Sequence, residues 1–271
     1  MKVLNVSEKK RIFEKAREYL LSFEGIDSEV LNRHLDEWNN SAPESMEDLL
    51  LGMLDSIKNR QGMPNFIGEI EELRPVLKDF NPNTIIDNYA DNWERLFRIV
   101  QDQCPPPGRM EINNPKNSWV QFCKSILSGA KFLSQFSNVT EFNTFVERFY
   151  LNEYTRVALP LLLQKEMFGL GFALACDFLK ENGYPEYCKP DVHIKSIFTG
   201  LGISKSDSDY EVFKDVIRFS KAINELPYKV DKMFWLVGSG KFYLDNIQKP
   251  TSRDAFIRSV KKELQLNSSY S

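Results

Sequence analysis

Residues 159–203 read LPLLLQKEMFGLGFALACDFLKENGYPEYCKPDVHIKSIFTGLGI, the most specific pattern in the chain. Gly169 and Gly171 flank one apolar residue between two apolar stretches. Glycine adopts a positive φ and lets another backbone approach closely, so this spacing predicts a tight turn between two helices. Ala175 follows four residues after Gly171. A small residue at that position allows the two predicted helices to cross at short range.

An aspartate follows this predicted hairpin at a defined distance. Asp191 stands 20 residues after Gly171, in the segment 189–194, which reads KPDVHI. Pro190 disfavours helical backbone at Lys189, so a new helix is predicted to begin at Asp191. Asp is a preferred residue at the N-cap, and a purely structural cap is therefore the alternative interpretation of Asp191.

Helical spacing of apolar residues continues through the rest of the chain. Neither an alternating run long enough for a strand nor a repeat of fixed period is visible, so the predicted fold class is all-α. Ser7 and Thr140 are predicted to cap two of the helices. Helices in the second half are predicted at 155–167, 172–182, 191–200, 209–224, 229–238 and 251–264.

Composition places the chain among ordinary globular proteins. It has 271 residues, of which 42% are hydrophobic and 27% charged, with a net charge of −3. The charge is uneven, because residues 1–150 carry −5 and residues 151–271 carry +2. The first residues lack the apolar core of a signal peptide, and the run Val157–Leu163 is too short to cross a membrane. We therefore expect a soluble intracellular protein with no membrane partner.

Cysteine and histidine usage argues against a metal site. The four cysteines include no Cys-x-x-Cys pair, and the chain has two histidines. Zinc and iron–sulfur sites need clustered Cys and His ligands. We expect thiols without a metal.

The hairpin and the aspartate together resemble the helix-hairpin-helix (HhH-GPD) DNA glycosylases. In that family a hairpin, a second helix and a short loop lead to an Asp at the start of the next helix, in a motif that often reads Val-Asp-x-His-Val. The segment Phe198–Gly202 also resembles the family's continuation. The close match covers the 45 residues 159–203.

The resemblance implies a fold with two helical lobes and an active cleft between them. A Pro-rich stretch at 104–115 supplies the first boundary. The predicted regions are an N-terminal helical region at 1–110 and a helical lobe at 111–205, with the hairpin at about 161–182 and the catalytic Asp. C-terminal helices at 206–271 then pack back on the N-terminal lobe.

The resemblance also implies a reaction and its residues. Asp191 would assist hydrolysis of the bond between a base and deoxyribose in duplex DNA. Gly169 and Gly171 would frame a phosphate-binding hairpin, with a structural monovalent cation held by backbone carbonyls. His193 and Lys195 would contact the DNA backbone; a structural histidine and a surface lysine are their alternatives. The expected partner is double-stranded DNA with a damaged or modified base, bound by a monomer without catalytic metal or organic cofactor.

Three residues are candidates for the base pocket: Phe172, Ser128 and Trp235. Nucleobases removed from the helix are held against aromatic or apolar side chains. Each of the two aromatic residues is otherwise an ordinary core residue. The base itself stays open among oxidised, alkylated, deaminated and hypermodified bases, in genome repair or in action on foreign DNA.

Bifunctional family members carry a nucleophilic Lys early in the second hairpin helix, where this chain has Ala173. The expectation is therefore a monofunctional glycosylase, with a bifunctional glycosylase/lyase using Lys165 or Lys189 as an alternative. No cysteine follows Cys188, so the iron–sulfur cluster of some members is not expected. Two other classes stay open: a non-catalytic helix-hairpin-helix DNA-binding module, which would not need Asp191, and a helical interaction protein that does not bind DNA.

Overall fold

The computed structural model describes residues 4–60, 63–106 and 108–268. Helices, with the 3-10 turns included, hold 67% of the described residues, and the predicted all-α class is confirmed. Among the described helices, none is both long enough and apolar enough to span a bilayer. The helices are α1 (Val6–Leu21), α2 (Ser28–Leu35), α3 (Met46–Lys58), α4 (Pro64–Ile67), α5 (Pro82–Tyr89), α6 (Trp93–Gln103), α7 (Ser118–Leu133), α8 (Val139–Glu147), α9 (Glu153–Glu166), α10 (Phe172–Glu181), α11 (Val192–Gly200), α12 (Asp209–Ile223), α13 (Pro227–Ser239) and α14 (Arg253–Ser268).

Short elements complete the described chain. Strand β1 (Lys241–Phe242) pairs with β2 (Ile247–Gln248) in an antiparallel ladder. An alternation of two residues is too short to be read as a strand from sequence. Single 3-10 turns lie at Glu37–Asn40, Ile70–Leu73, Lys78–Phe80 and Tyr243–Asp245.

Two helices begin earlier than the predicted caps Ser7 and Thr140. The side chain of Asn5 accepts a hydrogen bond from the Glu8 N–H at 2.9 Å, and the Glu8 carboxylate accepts one from the Asn5 N–H at 2.8 Å. This reciprocal pair satisfies two N–H groups at once, so α1 starts before Ser7. In α8 the cap is Asn138. Asparagine is at least as good a cap as Ser or Thr, which explains both corrections.

The helices form two compact units. One, here called the terminal unit, contains Met1–Ser41 and Gly183–Ser271; the other, the central unit, contains Ala42–Asn182. The predicted boundaries after residues 110 and 205 do not coincide with this division. Position 110 falls inside the central unit because α5 and α6 pack on α7, and position 205 falls inside the terminal unit because α11 packs on α12.

The core of the central unit is centred on α7. This helix contacts α3, α5 and α6, and α10 packs against both α3 and α9. Full burial of one apolar side chain contributes about 1.5–3 kcal/mol to folding, so the side chains of α7 account for much of this core. Its buried apolar residues are Trp119, Val120, Phe122, Cys123, Ile126, Leu127, Ala130, Phe132 and Leu133.

The core of the terminal unit is centred on α13. Helices α1, α11 and α12 pack against α13, and α14 adds contacts to α1 and α11. Aromatic rings in edge-to-face or tilted contact fill the space between these helices. They are Phe13, Phe198, Phe219, Phe234 and Phe256.

Candidate functional site

A tight turn joins α9 to α10 in the central unit. After α9 the backbone becomes extended at Met167, with φ −113° and ψ 117°. Gly169 has a φ of +81°, and Gly171, with φ −66° and ψ 163°, is the residue from which α10 begins. The hairpin predicted at about 161–182 is therefore present as two helices, α9 and α10, joined by a tight turn.

Gly169 is required by both conformation and space. Its φ of +81° lies in the left-handed region, which side chains rarely adopt. A Cβ at this position would also lie 2.3 Å from the Ser125 Oγ. That hydroxyl is fixed, because Ser125 is buried and donates to the Gln121 carbonyl at 3.0 Å. The turn therefore fits against α7 only with glycine at this position.

Ser128 of α7 forms a hydrogen bond with the turn. Its Oγ accepts a hydrogen bond from the Phe168 N–H at 2.8 Å and donates to the Ser125 carbonyl at 3.1 Å. The sequence suggested Ser128 as a base-pocket residue. In the structure its hydroxyl already has a donor and an acceptor, so it holds the hairpin in place.

Gly171 begins α10 without a side-chain cap. A Cβ built at Gly171 meets no atom within 4 Å, so packing within the protein does not require glycine there. Backbone N–H groups at an uncapped helix start attract anions. The next residue, Phe172, is 8% exposed, so this base-pocket candidate offers little surface to a ligand.

A groove of about 450 Å³ lies beside the hairpin in the central unit. Its walls include Trp93 and Phe168, and the Lys124 Nζ lies 4.7 Å and 5.8 Å from the centres of these two rings. Ser128 also lines the groove. Trp93 is half-buried and Phe168 is exposed. Aromatic rings beside a cation are groups with which nucleobases can stack.

Asp191 caps α11 in the terminal unit. Its Oδ1 accepts hydrogen bonds from the N–H groups of His193 at 2.8 Å and Ile194 at 3.0 Å. Oδ2 accepts none from any described residue, and the side chain is half-buried. The predicted helix start is confirmed. The two hydrogen bonds to Oδ1 hold the carboxylate in one orientation, and Oδ2 can interact with a ligand or water.

The loop that carries Asp191 is supported by α13. The buried Asp231 accepts a hydrogen bond through its Oδ2 from the Lys189 N–H. The Tyr228 N–H donates to the Pro185 carbonyl at 3.0 Å. Because the contact to Lys189 lies two residues before Asp191, α13 fixes the path of the chain into the cap. In the sequence, Asp231 is marked only as an acidic residue within the apolar pattern of α13.

His193 packs against α13 at a glycine. A Cβ on Gly238 would lie 2.4 Å from the His193 Nδ1 and 2.6 Å from the Cβ and Cγ of the histidine. Burial lowers the pKa of His193 below its usual value; Asp191 opposes this shift, and Arg253 and Lys241 add to it. The imidazole is therefore neutral at neutral pH.

Replacing Gly238 by Ala is expected to destabilise the protein by about 1–3 kcal/mol, because the new methyl group overlaps the His193 ring. Chemical denaturation measures this effect. In a His193→Ala background the same substitution should cost at least about 1 kcal/mol less, since the overlapping ring is gone. An equal cost in both backgrounds would show that the ring does not limit the space at Gly238.

Two further predicted site residues have partners in the terminal unit. The half-buried Lys195 forms an ion pair with Asp209. Trp235 is half-buried, and its ring lies edge-to-face with Tyr243 at 5.9 Å and 5.9 Å from the Nζ of the buried Lys232. Lys195 is thus already neutralised by a carboxylate, and Trp235 contributes to aromatic packing around a buried cation.

The predicted site residues divide between the two units. Gly169, Gly171, Phe172 and Ser128 belong to the central unit, and Asp191, His193, Lys195 and Trp235 belong to the terminal unit. Within the described residues, no three His, Cys, Asp or Glu side chains are grouped so as to hold a metal ion. The backbone carbonyls of the hairpin remain the predicted ligands for a monovalent cation.

One solved structure is similar to this chain in fold. It is the crystal structure of Methanocaldococcus jannaschii 8-oxoguanine glycosylase/lyase in complex with a 15mer DNA containing 8-oxoguanine. The TM-score is 0.50 and the sequence identity 18%, over 86% of this chain and 99% of that one. No family model and no curated protein matches the sequence. The likeness concerns the fold, and this chain therefore has the all-α fold of a DNA glycosylase.

Proposed function

We propose that this protein is a monofunctional DNA glycosylase, which moves a damaged or modified base out of duplex DNA and hydrolyses its N-glycosidic bond. The observation that carries the proposal is Asp191. The cap fixes this carboxylate through Oδ1, while Oδ2 accepts no hydrogen bond from the described residues. The hairpin 20 residues earlier and the fold likeness to an 8-oxoguanine glycosylase/lyase support the same function.

Asp191 has the chemistry that the reaction needs. Breaking the bond between base and sugar builds positive charge on the sugar, as in glycoside hydrolysis. A fixed carboxylate beside C1′ stabilises that charge and accepts a proton from the attacking water. Since two N–H groups hold Oδ1, the carboxylate keeps its orientation while the charge develops. Water adds to C1′, and the base leaves with a proton.

The hairpin would supply affinity that does not depend on sequence. The start of α10 has no side-chain cap, and the space beside Gly171 is open. A DNA phosphate placed there would accept hydrogen bonds from backbone N–H groups and interact favourably with the helix dipole. Such contacts set the position of the protein on the duplex, and contacts to the base determine which base is removed.

The absence of a lyase step is proposed from Ala173. A lyase needs an amine that attacks C1′ and forms a Schiff base. Ala173, in the first turn of α10, has none at the position where bifunctional relatives of the resembled family carry Lys. The alternative nucleophiles are Lys165, which is exposed at the end of α9, and Lys189.

We expect wild-type protein to leave an intact strand after base release, with breaks appearing only after alkali. Borohydride should trap no covalent complex between protein and DNA, and Lys165→Ala and Lys189→Ala should match wild type. A trapped complex that disappears in one of these variants would identify that lysine as a nucleophile and replace the monofunctional assignment by a bifunctional one.

The test of the proposed function is a base-release assay on a panel of duplexes, each with one modified base. The panel includes oxidised, alkylated, deaminated and hypermodified bases, with 8-oxoguanine among them because of the similar structure. Release of a modified base that requires Asp191 would support the glycosylase function and identify the base that is removed. Tight duplex binding without release from any substrate would favour a non-catalytic DNA-binding module. The absence of both would favour a helical interaction protein.

A further inference from the structure

Arg253 lies next to the start of α11. It is in the first turn of α14, and its Nη1 donates a hydrogen bond to the Val192 carbonyl at 3.2 Å. Val192 directly follows Asp191 in the chain. The guanidinium of this half-buried arginine is therefore held by a backbone contact at the first turn of α11, the helix that Asp191 caps.

Lys241 is the first residue of β1, which begins shortly after α13 ends. The C-terminal turn of α13 packs on the His193 ring at Gly238, and Lys241 follows three residues later. Its position is fixed by a hydrogen bond from its N–H to the Ser239 Oγ at 3.2 Å, and its side chain is exposed. Lys241 and Arg253 therefore both belong to segments that contact the first turn of α11, through Gly238 against His193 and through the Val192 carbonyl.

Neither cation has a counter-ion within the described part of the chain. Among the described side chains, no carboxylate pairs with the guanidinium of Arg253 or the ammonium of Lys241. Lys195, the cation that the sequence suggested for a DNA phosphate, differs in this respect because Asp209 already pairs with it. The cations without a paired carboxylate near the first turn of α11 thus belong to β1 and α14, whereas Lys195 of α11 itself is paired.

We propose that Arg253 and Lys241 form a binding site for a DNA phosphodiester beside Asp191. The proposal rests on the proposed glycosylase function and adds to it the residues that hold the backbone near the reacting nucleotide. The remaining N–H groups of Arg253 present a planar fork suited to two phosphate oxygens, and Lys241 adds a mobile point charge. In this arrangement Lys195 stays paired with Asp209 and makes no phosphate contact.

The experiment measures the affinity for an unmodified duplex as a function of salt concentration. The slope of log K against log salt decreases in magnitude by about 0.9 for each phosphate contact that is lost. The variants are Arg253→Gln, which keeps an amide donor for the Val192 carbonyl, and Lys241→Gln, whose ammonium makes no hydrogen bond with a described residue. Lys195→Gln is the matched control. Thermal unfolding of each variant verifies the fold.

We expect Arg253→Gln and Lys241→Gln each to flatten the slope by about 0.9 and Lys195→Gln to leave it unchanged. Between 50 and 200 mM salt, the factor by which the affinity falls should then be about three to four times larger for wild type than for Arg253→Gln or Lys241→Gln. Lys241→Gln decides the question even if Arg253→Gln alters the fold, because the lost ammonium has no partner in the described structure.

Two outcomes would overturn the inference. A wild-type slope in Lys241→Gln, with base release still dependent on Asp191, would refute the proposed phosphate site. The glycosylase function would remain supported. A flattened slope in Lys195→Gln alone would show that Lys195 of α11 makes the phosphate contact. A wild-type protein that neither binds duplex DNA nor releases a base would instead refute the proposed function itself.

Discussion

The Asp191→Asn variant is expected to release its base about 10²–10³-fold more slowly than wild type. Asparagine is as good an N-cap as aspartate, and its side-chain oxygen can accept the same hydrogen bonds from the His193 and Ile194 N–H groups. The variant therefore removes a negative charge while the start of α11 is preserved. Thermal unfolding and duplex binding should stay at wild-type values, and single-turnover base release measures the loss.

Two further variants separate charge from capping. Asp209→Asn removes another carboxylate of the terminal unit, the partner of Lys195, and should leave base release unchanged. Asp191→Ala removes both the charge and the cap, so it should also lose about 1 kcal/mol of stability. Full activity in Asp191→Asn would establish the alternative interpretation, in which Asp191 is a helix cap and nothing more.

The Gly169→Ala variant is expected to lose about 1–3 kcal/mol of folding stability from backbone strain alone. Alanine rarely adopts the φ of +81° found at this position, and its methyl group would lie 2.3 Å from the Ser125 Oγ. The turn must then move away from α7, with loss of the hydrogen bond from the Phe168 N–H to Ser128. Denaturant unfolding measures the change, and duplex binding should weaken with it.

Gly171→Ala is the matched control, because it adds the same methyl group two residues later. Gly171 has a φ of −66°, and no atom lies within 4 Å of the added Cβ. Its stability should therefore stay within about 0.5 kcal/mol of wild type. Duplex binding should still weaken, because the methyl group fills the space beside the N–H groups of α10. A Gly171→Ala variant with full affinity would argue against a phosphate at the hairpin.

Local patterns in the sequence were sufficient for the elements that carry the candidate site. The two glycines predicted the turn between α9 and α10, and Pro190 followed by Asp191 predicted the start of α11. Both features depend on the conformational limits of single residues, which act over a few positions of the chain. The spacing of apolar residues at helical intervals is also a local pattern, and it was sufficient to predict the all-α class.

Contacts between distant segments could not be predicted in this way. The hydrogen bond from the Phe168 N–H to the Ser128 hydroxyl joins residues 40 positions apart, and no local pattern in the sequence indicates it. Lys195 was indistinguishable from an unpaired lysine, because its partner Asp209 is brought to it by the packing of α12. Asp231 was missed because it accepts a hydrogen bond from a backbone N–H, and a backbone donor cannot be recognised from residue identity.

The order of the units along the chain has a consequence for synthesis on the ribosome. The apolar face of α1, with Ile12, Ala16 and Leu20, packs on helices of the terminal unit that are translated only after the whole central unit. At the usual rate of elongation this interval is on the order of 10 s. During that time α1 can pack only on α2 and lacks its partners α12, α13 and α14, so the nascent chain would present its apolar face to chaperones or to other nascent chains.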